Sequence, residues 1–233
     1  MNKFYITTPL YYVNDEPHIG HAYTTILADV LNRYYKSINY DTFFLTGTDE
    51  HGQKVQEAAK KNNTLPKDHV DKFVKRFQNT WDNLDIEYND FIRTTEKRHT
   101  DRVKEILNFL YLKGEIYKNE YEGLYSVSEE RFITEKEAED GEFREIKKLK
   151  ETNYFFKMSK YQNQLIEHIK TYPDFIKPES RKNEILSFLK NDLQDLCISR
   201  PKKRLSWGIE LPFDKNYVTY VWFDALLNYI TAI

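Results

Sequence analysis

The chain has 233 residues, of which 40% are hydrophobic and 15% aromatic, so it carries enough apolar surface to fold around a core and is not a disordered chain. Its formal net charge is −2, so any contact with nucleic acid must depend on local patches rather than on overall charge. Its single cysteine, Cys197, excludes an internal disulfide and a thiolate zinc cluster.

The N-terminal part of the chain alternates strand patterns with helix patterns. Apolar runs predict strands over 4–8, 41–46 and 91–95, and periodic apolar positions predict helices over 20–37 and 53–62, a helix from Pro66 and another that ends at Lys113. The strand at 41–46 does not alternate apolar with polar residues, which is typical of a parallel strand covered on both faces. The pattern therefore predicts an α/β fold with a doubly wound parallel sheet.

The character of the sequence changes after about residue 115. Short β patterns over 116–133, a charged piece over 134–152, and helices near 160–171 and 179–195 follow there. A strand over 218–223 and a helix from Asp224 then resume the alternation of strands and helices seen in the N-terminal part. We therefore predict three parts. Residues 1–115 form the first half of an α/β domain, 116–204 an insertion, and 205–233 the start of the second half of that domain. Because the chain stops on an apolar helical stripe that includes Trp222 and Leu226, we expect the domain to continue beyond Ile233.

The cellular location follows from two features of the sequence. Met1 leads directly into the first strand pattern, which leaves no room for a signal peptide, and no apolar run is long enough to span a bilayer. Together with the single cysteine, this predicts a cytoplasmic protein with no membrane partner.

Two histidines flank a glycine where the first strand passes into the first helix. His18 and His21 are three residues apart, so on a first helical turn their rings face the same way, and Gly20 leaves the backbone open to close approach. The unpaired N–H groups of a helix N-terminus favour anions such as phosphate. The alternative is a surface helix start with two incidental histidines.

A second polar turn, Gly47 to Gly52, follows the second strand. Because ligands of open α/β sheets bind beyond the carboxyl ends of the strands, we expect this turn and the histidine pair to border one crevice. Asp49 could hold an ammonium group there. The same region also allows a metallohydrolase, in which a divalent metal ion would be bound by His18, His21, Asp49 and His51.

The longer motifs resemble one enzyme family. His18-Ile19-Gly20-His21 is the unbroken signature of the class I aminoacyl-tRNA synthetases, and the segments 12–17, 46–54 and 220–225 resemble the methionyl-tRNA synthetase family in particular. The resemblance extends over the whole chain. It implies a Rossmann-like catalytic domain interrupted by a connective-peptide insertion at 116–204.

The resemblance also implies a reaction and its site. The family activates L-methionine with ATP, accompanied by Mg²⁺, and transfers the methionyl group to tRNA(Met). His18 and His21 would be catalytic, and His18, Gly20 and His21 would bind ATP. The residues that would bind methionine are Pro9, Leu10, Tyr12, Asp49, Trp222, Leu226 and Tyr229. No metal-binding residue is predicted in this chain.

Two segments depart from the family pattern. Ser126 and Glu129, and the segment 139–143, stand where many relatives carry Cys-x-x-Cys zinc knuckles, so we predict that there is no structural zinc. Lys157-Met158-Ser159-Lys160 looks like the mobile lysine loop of class I enzymes, but it lies inside the insertion. We interpret it as a helix entry with water-facing lysines, expect the true loop beyond Ile233, and expect this chain alone to be inactive.

Two other functions remain open at this point. One is the metal-dependent hydrolase described above. The other is a non-catalytic RNA-binding fragment, in which aromatic and lysine side chains of the insertion stack on the ends of tRNA.

Overall fold

The computed structural model describes residues 2–126, 131–133, 138–139, 141, 143 and 145–233. They form two compact units. The first contains the residues up to Asn108 together with Arg200–Ile233, and the second contains Phe109–Ser199. The predicted parts 1–115, 116–204 and 205–233, and the role of the middle part as a connective peptide, stay predictions.

A parallel sheet organises the first unit. Its strands are β1 (Lys3–Thr7), β2 (Tyr11–Tyr12), β3 (Asp41–Asp49) and β4 (Asp90–Arg93). The central strand is β3, with β1 and then β2 along one edge and β4 along the other. Every residue of β3 from Phe44 onward is buried, as expected for a strand covered on both faces. The predicted parallel α/β sheet is confirmed.

The strand β3 is longer than its apolar run. Gly47, Thr48 and Asp49 belong to the strand, so the prediction of a turn beginning at Gly47 is wrong. Gly47 makes the extension fit, because a Cβ at this position would lie 2.0 Å from the backbone oxygen of Ile92 in β4. The strand therefore delivers Asp49 directly to the carboxyl end of the sheet.

Four helices follow the strands of this unit in the expected order. They are α1 (Ile19–Ser37), α2 (Gln53–Lys61), α3 (Pro66–Asn83) and α4 (Lys97–Leu112). The apolar stripe of α3 forms much of the core, where Val74, Phe77 and Trp81 are buried. Along α1, by contrast, the side chains of Leu27 and Val30 are exposed, so the periodicity that predicts this helix does not mark its buried face.

The C-terminal segment of the first unit carries short elements. They are β9 (Ser199–Pro201), β10 (Glu210–Leu211), β11 (Asp214–Thr219), α7 (Val221–Leu226) and α8 (Asn228–Thr231), with the strands in the order β10-β11-β9. The predicted strand over 218–223 and helix from Asp224 are wrong in their boundary, because the strand ends at Thr219 and α7 begins at Val221. A short apolar run does not by itself distinguish a strand from a buried helix.

The second unit is built on an antiparallel hairpin. Its strands are β5 (Ile116–Ser126), β6 (Arg131–Ile133), β7 (Ile146–Phe156) and β8 (Leu196–Cys197), in the order β6-β5-β7-β8, and its helices include α5 (Gln162–Thr171) and α6 (Glu179–Phe188). Lysines of β7 pair across the ladder with glutamates of β5, as in the 2.8 Å contact of Lys150 with Glu120.

These pairs also account for part of the charged piece at 134–152. Its last residues form β7, because alternating lysines and glutamates satisfy each other across a ladder. Residues 134–137, 140, 142 and 144 lie outside the described residues. The helix predicted over 179–195 ends at Phe188, and the next three backbone N–H groups, those of Leu189, Lys190 and Asn191, donate back to carbonyl oxygens of its last turn.

Candidate active site

The two predicted histidines cap the N-terminus of α1. Nδ1 of His18 accepts a hydrogen bond from the backbone N–H of Gly20 at 3.0 Å, and Nδ1 of His21 accepts one from the backbone N–H of His18 at 3.3 Å. The two rings stack with their centroids 3.7 Å apart. The expectation that both imidazoles face the same way is therefore confirmed.

The capping contacts determine which ring nitrogen carries a proton. An Nδ1 that accepts a hydrogen bond is unprotonated, so the N–H of each ring is on Nε2. For His21, burial lowers the pKa from its ordinary value, and the nearby imidazole of His18 lowers it further, since two protonated rings in contact would repel each other. Two Nε2–H donors thus accompany the positive end of the helix dipole, an arrangement suited to an anion.

Gly20 leaves room for the His18 ring. A Cβ at Gly20 would lie 3.0 Å from Cε1 and 3.1 Å from Nδ1 of His18, closer than ordinary contact. The position of the His18 ring therefore favours glycine here, because a larger residue would displace the ring by a few tenths of an ångström.

The strands β2 and β3 place Tyr12 and Asp49 side by side. Their Cα atoms are register partners in the parallel ladder. The preceding residue, Tyr11, links this ladder to the helix cap, since its ring lies 4.8 Å from the ring of His21 and its hydroxyl lies 2.8 Å from Oγ1 of Thr25. The histidine pair and Asp49 therefore lie toward the same end of the sheet, and a shared crevice between them stays a prediction.

Tyr229 in α8 approaches the same region. The negative charge of Asp49 contributes to raising the pKa of the Tyr229 hydroxyl, after burial, which is the larger cause. The backbone oxygen of Tyr229 accepts a hydrogen bond of 2.8 Å from the hydroxyl of Tyr5 in β1. Among the residues predicted for methionine, Tyr12, Asp49 and Tyr229 are thus brought together.

The other residues predicted for methionine lie nearer the solvent. Pro9 is exposed and Leu10 is half-buried before β2. Trp222 is 47% and Leu226 55% exposed on the outer face of α7. The predicted continuous helical stripe is broken, because α7 ends at Leu226 and α8 starts two residues later.

A buried ion pair fixes the residue after Asp49. Glu50 is fully buried, and Nε and Nη2 of Arg93 donate to its carboxylate at 2.6 and 3.0 Å. Burial acts to lower the pKa of Arg93, but Glu50 and Asp71 outweigh it and raise the pKa. This pairing was missed at the sequence level, because nothing in the spacing relates Glu50 to a residue 43 positions away.

His51 is paired with a carboxylate from the C-terminal segment. Its Nδ1 lies 2.7 Å from Oδ2 of Asp224, which is fully buried. Within the described ranges, no three or more histidine, cysteine, aspartate or glutamate side chains are grouped as metal ligands. The four ligands proposed for a metallohydrolase, His18, His21, Asp49 and His51, are therefore not gathered around one point.

The lysine-rich segment of the second unit is held by local contacts. Met158–Tyr161 forms a single 3₁₀ turn, in which the backbone N–H of Ser159 donates to Oδ1 of Asp195 at 3.1 Å. Lys160 faces water, as expected, since its side chain is 57% exposed, and it also forms an ion pair with Glu115. These contacts support the interpretation of the segment as a structural turn.

Comparison with known proteins identifies a family. The model of the family described as tRNA synthetases class I (M) matches residues 4–145 and 141–233. The methionine–tRNA ligase of Fusobacterium nucleatum is 54% identical over 235 residues, covering 99% of this chain and 37% of that protein. That of Streptomyces coelicolor is 47% identical, covering 99% of this chain and 45% of that protein.

Solved structures agree with the sequence relatives. Mycobacterium tuberculosis methionyl-tRNA synthetase in complex with methionyl-adenylate superposes with a TM-score of 0.93 at 39% identity, covering 99% of this chain and 47% of that chain. The free form of the same enzyme gives a TM-score of 0.79. In the part of the chain that the structure describes, no helix is both long and apolar enough to cross a membrane.

Proposed function

The chain belongs to the class I tRNA synthetases of the (M) family, and we propose that the protein containing it is a methionine–tRNA ligase. The chain spans 37% of the length of the first relative named above and 47% of the solved synthetase. The proposed reaction activates L-methionine with ATP and then transfers the methionyl group to tRNA(Met).

One observation carries this proposal. The stacked pair of His18 and His21 lies at the same end of the sheet as the carboxylate of Asp49, with Tyr11 between them. Donors for phosphate therefore stand beside an acceptor for an ammonium group. An amino acid and a nucleotide that must react with each other need this pair of adjacent subsites.

The phosphates of ATP are assigned to the helix cap. His18 and His21 each present an Nε2–H, and Gly20 leaves room for the His18 ring in this position. The methionine carboxylate attacks the α-phosphorus, a new P–O bond forms, and the bond to pyrophosphate breaks to give methionyl-adenylate. The terminal ribose hydroxyl of tRNA(Met) then attacks the carbonyl carbon and AMP leaves.

Methionine is assigned to the sheet end and to α7 and α8. Asp49 is nearly buried, so its carboxylate would bind the ammonium group with little competition from water. The thioether would lie among side chains that favour a soft, polarizable atom, with Tyr12 and Tyr229 as the aromatic members. The other residues that we assign to this subsite are Pro9, Leu10, Trp222 and Leu226.

Metal ions enter this proposal only through ATP. Mg²⁺ bound to the phosphates would neutralise charge on the departing pyrophosphate. Such an ion is held mainly by phosphate and water, which suits a chain whose described residues offer no cluster of three ligands. The absence of a structural zinc stays a prediction, and Glu129, Asp140 and Glu142 lie outside the described residues.

The cytoplasm, where translation takes place, is the proposed location. The presence of a single cysteine, Cys197, agrees with a reducing compartment.

The test is amino-acid-dependent exchange of pyrophosphate into ATP by the full-length protein. We expect exchange with L-methionine and less than about 1% of that rate with leucine or valine, because shape and the polar groups of the site both discriminate. Exchange that does not require methionine would refute the proposal. Stoichiometric metal retained after washing with a chelator, together with hydrolase activity, would support the metallohydrolase instead.

A further inference from the structure

Asp224 is fully buried in α7, and two histidines from distant parts of the chain share its carboxylate. Oδ2 lies 2.7 Å from Nδ1 of His51, and Oδ1 lies 2.7 Å from Nε2 of His99. His99 is itself fully buried in α4, and its Nδ1 lies 2.8 Å from Oγ1 of Thr231 in α8. One carboxylate therefore connects the loop after β3, α4, α7 and α8.

The histidines keep this carboxylate charged. Burial acts to raise the pKa of Asp224, but His51 and His99 outweigh it and hold the pKa below its ordinary value. A buried charge of this kind is tolerated only when hydrogen bonds satisfy it, so loss of one partner weakens the whole arrangement. The cluster is thus a rigid joint rather than an incidental contact.

The joint lies between the two halves of the proposed methionine subsite. Trp222 and Leu226 are four residues apart and share the outer face of α7, whereas Asp224, between them, lies on the buried face. On the other side, His51 is two residues after Asp49. The separate ion pair of Glu50 with Arg93 anchors this loop to β4 of the sheet.

We propose that Asp224 is a positioning residue for the amino-acid subsite. By holding His51 and His99 together, it fixes α7 and α8, with Trp222, Leu226 and Tyr229, in place relative to Asp49. It acts through these residues and touches no substrate. This inference rests on the proposed function, because that function defines the subsite.

The first test compares Asp224→Asn with the wild type in the full-length protein. The amide has the shape of the carboxylate, but its nitrogen cannot accept a hydrogen bond from the second histidine. We expect the KM for methionine in pyrophosphate exchange to rise about tenfold or more, as for the loss of a hydrogen bond to a charged group. The KM for ATP stays within about twofold, because the joint does not reach the cap of α1.

A matched pair at His99 separates positioning from simple folding. Gln places an N–H near the position of Nε2, so His99→Gln should keep the KM for methionine within about threefold of the wild type. His99→Leu removes the donor and should behave like Asp224→Asn. Arg98 lies in α4 next to His99 and forms exposed ion pairs with Asp90 and Glu96. Arg98→Gln removes these pairs and should change neither KM.

If Asp224→Asn does not fold, a second pair at His51 decides the question. His51→Asn keeps an N–H near Nδ1 and should be nearly normal, whereas His51→Leu should lose affinity for methionine. Equal changes in both KM values, or a lower melting temperature with both KM values unchanged, would overturn the positioning role. A wild-type protein without methionine-dependent exchange would instead refute the proposed function, and with it the subsite.

Discussion

Replacing Gly20 by alanine should separate activity from stability. The added methyl would lie 3.0 Å from Cε1 of the His18 ring, so the ring must move by a few tenths of an ångström. This movement strains the 3.0 Å hydrogen bond by which Nδ1 of His18 caps α1. The Nε2–H of His18 would then point away from the proposed phosphate position.

The stability terms of this substitution nearly cancel. Alanine in place of glycine in a helix stabilises by about 1 kcal/mol. Loss of the N-cap costs about 1 kcal/mol. Because about 1 kcal/mol changes the melting temperature of a domain of this size by roughly 3 °C, we expect a shift smaller than that. A misplaced hydrogen bond to a charged phosphate costs about 1.5–3 kcal/mol, which is about 10- to 100-fold in the exchange rate.

The assay pairs thermal unfolding with methionine-dependent pyrophosphate exchange in the full-length protein. Gly114→Ala is the matched control, because Gly114 has φ +70° and its surroundings are open. It should lose about 1 kcal/mol of stability with exchange unchanged, the opposite of Gly20→Ala. A Gly20→Ala protein with normal exchange would refute the capping role of His18 as a determinant of phosphate binding.

Three further substitutions test other parts of the account. Gly47→Ala should destabilise the protein by about 3 kcal/mol in denaturant titrations, since its Cβ would lie 2.0 Å from the backbone oxygen of Ile92; a loss below about 1 kcal/mol would contradict the close strand packing. Burial lowers the pKa of His69 from its ordinary 6.5, so the unfolded state binds the proton more readily and the free energy of unfolding falls as the pH drops below about 6.5. In His69→Gln, the melting temperature should therefore fall less steeply with decreasing pH than in the wild type. An unchanged slope of melting temperature against pH would contradict this linkage. Lys160→Met should leave pyrophosphate exchange within about twofold, because Lys160 pairs with Glu115; a loss of tenfold or more would identify the turn as an active loop.

The sequence predicted the parts of the fold that depend on local patterns. The apolar run at 41–46 and the periodicity of 20–37 were enough for a buried parallel strand and a long helix, and both are confirmed. Boundaries were less predictable. Gly47 and Thr48 extend β3 because a neighbouring strand pairs with them, and that pairing is invisible in a single sequence.

The polar core was the larger omission. The sequence marks Asp224 only as the start of a predicted helix, yet it is buried between histidines 125 and 173 residues away in the chain. Arg93 likewise supports Glu50 from β4. Such pairs have no local signature, because any residue brought close by the fold can satisfy a buried charge.

The most direct measurement compares ligand binding by Asp49→Asn and the wild-type full-length protein. In the proposed site, Asp49 binds the ammonium group of methionine and the N-terminal cap of α1 binds ATP. Equilibrium dialysis should therefore show the Kd for methionine rising at least about tenfold, with the Kd for ATP unchanged. Equal weakening of both ligands, or unchanged binding of methionine, would contradict the assignment of adjacent subsites at this end of the sheet.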